Sequence, residues 1–290
     1  MPRGSHGAGT YGITELLNSY LKEDVRSGDI TSENLLPDRH ARASIIAKEG
    51  GVVAGLEELI ALFSLSNCVI KNPLQDGSQI TPGTVLCTVE GNVKDILRTE
   101  RVGLNILARM SGIATKTRKF VERVRPVNEN VKIAATRKTT PGFRYFEKKA
   151  VRVGGGDPHR YSLDDMALIK ENHIRACGGV TKILKQANEK ISFSKKIDIE
   201  VETVDQFKEA VDFSPDIIML DNMKPSEVRE CREHLEKIKL SRSGRTLIEI
   251  SGNISLENIG DYAPYGDIIS IGSLTHSYSS LDFTMLMDFQ

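Results

Sequence analysis

The sequence predicts an α/β protein in two parts, a mixed α/β unit over roughly the first hundred residues and a β/α barrel after it. Three observations carry this. From about residue 113 five short apolar runs follow one another: VKIAAT, IDIEVE, DIIMLD, TLIEIS and DIISIG. Amphipathic helical patterns lie between several of them, the signature of a parallel sheet with helices outside it. Each run also ends in residues that a core rejects: Arg137 and Lys138, then Glu202, Asp221, Ser251-Gly252 and Gly272-Ser273. In a β/α barrel the chemistry sits at the carboxyl ends of the strands.

The elements follow in order. The first eight residues, which include the stretch PRGSH, read as the remnant of an expression tag. Ile13, Leu16, Leu17, Tyr20 and Leu21 recur at helical spacing, and EDVRSGDIT breaks that helix. Strand-like ARASIIAKE and TVLCTVE follow, separated by GG and PG turn signals. Ile113, Thr117, Phe120, Val121 and Val124 then make one helical face. Among the five runs, Val180, Ile183, Leu184, Ala187 and Ile191 form a second helical pattern, and Val228, Cys231, Leu235 and Ile238 a third.

Composition narrows the partners. The chain has 290 residues, and 39 Lys plus Arg balance 39 Asp plus Glu. A basic surplus, the usual mark of a nucleic-acid or anionic-membrane partner, is absent, and no apolar run approaches a membrane span. Neither nucleic acid nor membrane is therefore expected. Cys68, Cys87, Cys177 and Cys231 lie far apart without a CxxC pair. Reduced thiols filling a core in a cytoplasmic protein are the expectation.

Any cationic site must then be local. Arg137, Lys138, His159, Arg160 and Lys170 form the basic set, with His159-Arg160 following the glycines 154–156 and Lys170 ending the apolar segment Ala167-Leu168-Ile169. Arg offers a planar fork for carboxylate or phosphate and Lys a mobile point charge. Taken singly each is compatible with an ordinary surface cation; together, at strand and loop ends, they point to a small polyanion. Glu200, Glu202 and Asp221 form an acidic set, with the two glutamates on one face of a strand by period-2 alternation. Carboxylates opposite the cations suit Mg²⁺ or ribose hydroxyls, with buried ion pairs to Lys138 or Lys170 as the plainer reading. Ser251-Gly252-Asn253 and Gly272-Ser273 each follow an apolar strand and are expected to open a helix, where backbone N–H groups bind phosphate. His276, four residues past Gly272, is placed to donate to the same phosphate or to pack. Two other classes fit parts of the pattern: a non-catalytic anion-binding protein, and a Schiff-base aldolase using Lys170.

Taken together, the segments TERVGLNILARMSGIAT (99–115), ATRKTTPGFRYFEKKAV (135–151), GGGDPHR (154–160), LIKENH (168–173), IEVET (199–203), IMLDN (218–222), ISGNISLENI (250–259) and IGSLTHS (271–277) resemble the quinolinate phosphoribosyltransferase family. The resemblance covers nearly the whole chain and keeps the order. It implies an N-terminal α/β sandwich domain over 9–112, joined by the segment 276–290, and a C-terminal open β/α barrel of the type II phosphoribosyltransferase kind over 113–275. It implies reaction of quinolinate with 5-phosphoribosyl 1-diphosphate and Mg²⁺ to give nicotinate mononucleotide, pyrophosphate and CO₂, in a homodimer or homohexamer with a shared active site. By motif, Arg137, Lys138, His159, Arg160 and Lys170 would hold quinolinate, and Arg101 would reach the pocket from a neighbouring subunit. Glu202 and Asp221 would handle ribose and metal, so that Lys138, Glu202 and Asp221 are the candidate catalytic residues. Ser251, Gly252, Asn253, Gly272, Ser273 and His276 match the loops around the phosphates.

Overall fold

The computed structural model describes residues 10–239 and 246–288. The tag reading concerns residues outside that range. The chain divides into two compact units, one of residues up to Thr115 together with those from Ser279 on, the other of Lys116–Tyr278. Among the described residues no helix is long and apolar enough to cross a membrane.

The first unit opens with α1 (Thr10–Val25) and α2 (Ile30–Leu35), continues through β1 (His40–Ala47), β2 (Gly51–Val52), α3 (Leu56–Leu65), β3 (Val69–Lys71), β4 (Gln79–Ile80) and β5 (Val85–Asn92), and enters the long helix α4 (Val93–Val124). Gly28, at φ 139°, ends the first helix, and the Asp29 carboxylate caps the second by accepting from the Thr31 and Ser32 N–H groups at 3.1 Å. In β1 alternate residues Ala43, Ile45 and Ala47 are buried, the half-buried strand that the period of ARASIIAKE predicts. They pack with Leu59 and Phe63 of α3 and Leu104 and Leu107 of α4.

The second unit runs β6 (Lys132–Ala134), α5 (Arg144–Val153), β7 (Ala167–Ile169), α6 (Glu171–Cys177), α7 (Val180–Lys190), β8 (Ile197–Val201), α8 (Val204–Val211), β9 (Ile217–Asp221), α9 (Pro225–Lys239), β10 (Leu247–Ser251), α10 (Ile259–Tyr262), β11 (Ile268–Ser270) and α11 (Ser273–His276). A last strand, β12 (Phe283–Asp288), returns to the first unit and pairs antiparallel with β1, giving the order β12-β1-β5-β3.

Among the described residues the second unit has six strands, all parallel, in the order β6-β11-β10-β9-β8-β7. A one-residue bridge from Ala134 to Asp157 adds a seventh position beyond β6. Residues at or just past both edge strands, Thr136 and Leu168, line one cavity with residues of the central strands, so the sheet curls into an incomplete barrel. Each of the five apolar runs became a strand. The physical reason is the alternation within them. Ile199, Val201, Ile218, Leu220, Ile248, Ile250 and Ile269 are buried on one face with Leu184, Phe207, Val228 and Cys231 of the helices, at about 1.5–3 kcal/mol for each large side chain. The intervening residues face the lumen.

Gly112 allows the chain to return. A Cβ there would stand 2.2 Å from the Ser279 carbonyl oxygen. Helix propensity favours Gly→Ala by about 1 kcal/mol, but this obstacle is backbone and cannot swing aside. Gly112→Ala is expected to destabilise by about 1–3 kcal/mol, read by urea denaturation; a stabilised variant would show that Ser279 does not hold this position.

Candidate anion-binding site at the strand ends

The lumen opens at the carboxyl ends of the strands into a cavity of about 430 Å³. Its lining contains Arg137, Lys138, His159, Arg160 and Lys170, the whole basic set, together with Glu200, Asp221 and Glu249 and the hydroxyls of Thr136, Ser251 and Ser270. The cations come from three stretches remote in sequence, the loops after β6 and α5 and the end of β7. His159 and Arg160 also line a second cavity of about 450 Å³, shared with Lys132, Ile217, Leu247 and Ile268 at the strands' amino ends, so they form a partition across the lumen.

Helix α5 holds two of these stretches. Its sequence RYFEKKAVRV looks like a solvated helix, yet Glu147 and Lys148 are fully buried. The Glu147 carboxylate accepts from the Thr140 N–H at 3.0 Å, in the loop that carries Arg137 and Lys138. The Lys148 ammonium donates to the carbonyls of Pro158 and Arg160, the latter at 2.7 Å, on either side of His159. Arg144 reaches Thr139 Oγ1 and the Tyr161 carbonyl, both at 3.0 Å. Burial, with Arg144 adding to it, pushes Lys148 down to about 8. Desolvating an ammonium costs several kcal/mol, offset here by charge-assisted bonds to fixed carbonyls. His159 sits at φ 53°, a left-handed conformation steadied by its N–H donating to Asp157 Oδ1 at 2.7 Å.

Arg160 is buried and donates to the Met166 carbonyl at 3.2 Å. Burial and then the Arg137 charge press it below the ordinary arginine value. The Nε of Arg137 is buried without a hydrogen-bond partner. Two neighbouring guanidiniums with spare donors call for an anion between them. Lys138 is exposed; its carbonyl accepts from Thr275 Oγ1 at 2.8 Å. A Cβ on Gly272 would meet the Lys138 side chain at 2.9 Å and His276 Nε2 at 3.2 Å. Gly272, Ser273 and His276 therefore stand beside Lys138, outside the cavity lining itself.

Glu200 lines the cavity, where Lys170 binds it, and Glu202 stands beyond that lining. The alternation was read with the right parity, but β8 ends at Val201. Glu202 is exposed in the turn where Thr203 caps α8, and its N–H goes to Gln206 Oε1 at 2.8 Å. The expected helix does not open at Ser251-Gly252-Asn253, since α10 starts only at Ile259. Gly252 and Asn253 have positive φ, and Asn253 donates to Asn222 Oδ1 at 3.1 Å. Asn222 in turn donates to Asp221 Oδ2 at 2.7 Å. Of that tripeptide Ser251 alone lines the cavity. Arg101 is exposed on α4, in the first unit.

Sequence reasoning missed Asp198, Glu249 and the α5 triad. Period-2 counting inward from Glu200 would have placed Asp198 in the lumen, and counting from Ser251 would have placed Glu249 there. Ligand atoms of His159, Asp198 and Glu249 lie within 4.8 Å of one another. Arg160 already supplies positive charge beside both carboxylates, which is what a metal ion would otherwise bring. The four cysteines are free; burial raises Cys68 to about 11 and Cys87 and Cys231 to about 12, as inert core residues require, whereas Cys177 is partly exposed at the end of α6 and does not fill a core.

An incomplete parallel barrel with a dense cation cluster at its strand ends defines a protein that binds small polyanions. Comparison with known proteins narrows this to one family. The quinolinate phosphoribosyl transferase N-terminal domain matches residues 29–111 and the C-terminal domain residues 113–286. A relative from Archaeoglobus fulgidus, named "Probable nicotinate-nucleotide pyrophosphorylase (carboxylating)", is 45% identical over 89% of this chain and 97% of its own. The human nicotinate-nucleotide pyrophosphorylase (carboxylating) is 35% identical over 94% and 90%. The crystal structure of NadC from Streptococcus pyogenes superposes with a TM-score of 0.91 at 38% identity, covering 99% of this chain and all of that one. The chain belongs to the quinolinate phosphoribosyl transferase family.

Lys148 gives this site a measurable signature. The folded protein releases that proton near pH 8, while the unfolded chain holds it to about 10.5. Between those values the unfolded state binds more protons, so this group's contribution to stability rises with pH. Wild type is expected to gain stability relative to Lys148→Met as pH goes from 8 to 10 in denaturant titrations. A difference that stays flat would show that Lys148 is not desolvated.

Proposed function

We propose that the protein transfers the phosphoribosyl group of 5-phosphoribosyl 1-diphosphate to quinolinate with loss of CO₂, giving nicotinate mononucleotide and pyrophosphate, a step of de novo NAD biosynthesis. The observation that carries this reading is the convergence of two arginines, two lysines and a histidine on one cavity in a chain of zero net charge. The names of the human relative and of the tobacco relative, a quinolinate phosphoribosyltransferase (decarboxylating) 36% identical to this chain, support it.

Quinolinate carries two carboxylates, which Arg137, His159, Arg160 and Lys170 neutralise and orient. Lys138 bridges from that cluster to the Gly272–His276 loop, whose N–H groups and imidazole suit phosphate oxygens. No protein nucleophile is needed, because the pyridine nitrogen attacks the anomeric carbon once both anions are held together. Positive charge developing on the ribose is stabilised by Asp221 and Glu200 at the same mouth. Lys170 is engaged by Glu200 in an ion pair, an arrangement that suits carboxylate binding rather than Schiff-base chemistry. Mg²⁺ fits the oxygen donors there, with Asp221 lining the cavity and Glu202 just past the end of β8 as the residues that would hold it; when bound it would neutralise the leaving diphosphate. Loss of CO₂ follows because the new pyridinium stabilises the electron pair left at the ring carbon. We assign the protein to the cytoplasm and to a homodimer or homohexamer in which Arg101 completes the site of a neighbouring subunit.

Purified protein with quinolinate, phosphoribosyl diphosphate and Mg²⁺ is expected to release CO₂ and pyrophosphate, and none with nicotinate. Lys138→Ala should lower kcat by about a hundredfold. Silence with both acids from folded protein that still binds quinolinate would favour an accessory anion-binding role. The shared site has its own check. Mixing Arg101→Ala with Lys138→Ala protein is expected to restore part of the activity, and no rescue after verified subunit exchange would remove Arg101 from it.

A further inference from the structure

Beneath the cations, at the middle of the lumen, lie two carboxyl groups that the transfer reaction does not use. Asp198 on β8 and Glu249 on β10 are both fully buried. Both oxygens of Asp198 and Oε1 of Glu249 lack hydrogen-bond partners, while Glu249 Oε2 stands 3.1 Å from His159 Nε2. Two adjacent carboxylates out of water cannot both be ionised without a cost of several kcal/mol, and such pairs hold one proton between them. The groups facing Asp198 are Glu249 from β10, His159 and Arg160 from the loop after α5, Lys170 at the end of β7 and Glu200 on its own strand. From β9 the lumen residue at that level is the uncharged Met219, and the Arg137 charge acts on Arg160.

We propose that Asp198 and Glu249 form a one-proton carboxyl pair that positions the clamp for the substrate's carboxylates, Glu249 as the anion orienting His159 and Asp198 as the neutral acid beside it. This rests on the functional reading above. Both are positioning residues: Asp198 is absent from the cavity lining and acts through Glu249 and Arg160. A single negative charge on the pair, beside those of Glu200 and Asp221, offsets part of the cation cluster in the free protein and spares the rest for a dianion. Loss of the shared proton adds a second negative charge beneath the substrate and opposes its carboxylates. Burial, followed by the Glu249 charge, holds Asp198 well above the ordinary carboxylate range, so it stays protonated in the free site.

The test is calorimetric binding of quinolinate, and of phthalate as a dicarboxylate that cannot react, to wild type, Asp198→Asn and Glu249→Gln between pH 6 and 9. Wild type is expected to lose affinity at the alkaline end by about tenfold more than Asp198→Asn, whose amide is neutral at every pH. Glu249→Gln leaves Asp198 buried but takes away the neighbouring negative charge, so the alkaline limb should move to lower pH, with weaker binding already at pH 7 because His159 loses its charged partner. Titration of Lys148 near pH 8 is common to all three proteins and cancels in the comparison. Thermal melts establish folding, and if Asp198→Asn does not fold the Glu249→Gln profile decides. Profiles parallel to wild type in the folded variants overturn the pair. Absence of dicarboxylate binding by wild type at any pH overturns the functional reading, and the pair with it.

Discussion

The grip of one buried ammonium on two carbonyl oxygens supports much of the site. Lys148 ties the backbone on either side of His159, and the neighbouring Glu147 ties the loop of Arg137 and Lys138. Four of the five cations thus depend on consecutive residues of α5, whose opposite charges point into opposite loops. The cations repel one another, so loops carrying them would relax apart if held by weak contacts alone. Fixed carbonyl dipoles and a buried carboxylate resist that repulsion before any substrate arrives, which is what preorganisation means in electrostatic terms.

The lumen obeys a charge balance. Five cationic side chains face it, and Glu200, Asp221, Glu249 and Asp198 lie among or beneath them. Acids of the rim, Glu200 and Asp221, sit where solvent and substrate reach them. Acids of the floor are sealed, and they act on the cations above through a poorly screened interior. Position along the strand separates the two kinds: residues at the strand ends meet substrate, and those one repeat lower set the field in which it binds.

Much of this was legible in the sequence. Five apolar runs read as strands are strands, and the polar residues ending them gather at one mouth, because an alternating strand buried on its outer face leaves little choice of direction. The five residues of the basic set line one cavity. What sequence could not supply is where a strand stops. Glu200 and Glu202 share a parity, but β8 ends between them, so only the first lies on the strand. Asp198 and Glu249 were overlooked because acids flanked by isoleucines read as noise in an apolar run. The roles of Arg144, Glu147 and Lys148 left no mark in RYFEKKAVRV because their charges find partners in loops that lie next to the helix only after folding. The turn at Asn222 and Asn253 depends on left-handed backbone at both residues, which no composition signal marks.

The return of β12 to β1 has a consequence for how the chain is made. Strand β1 pairs with β5 on one side and with β12 on the other, and β12 follows β5 by roughly 190 residues. At ribosomal rates that gap lasts on the order of ten to forty seconds. For that time the flank of β1 that β12 will cover has unpaired N–H and C=O groups, while all six barrel strands emerge and can close on their own helices. The nascent chain therefore completes its later half first, and its earliest sheet stays open at one edge, the state in which a chaperone or a neighbouring nascent strand finds a ready template.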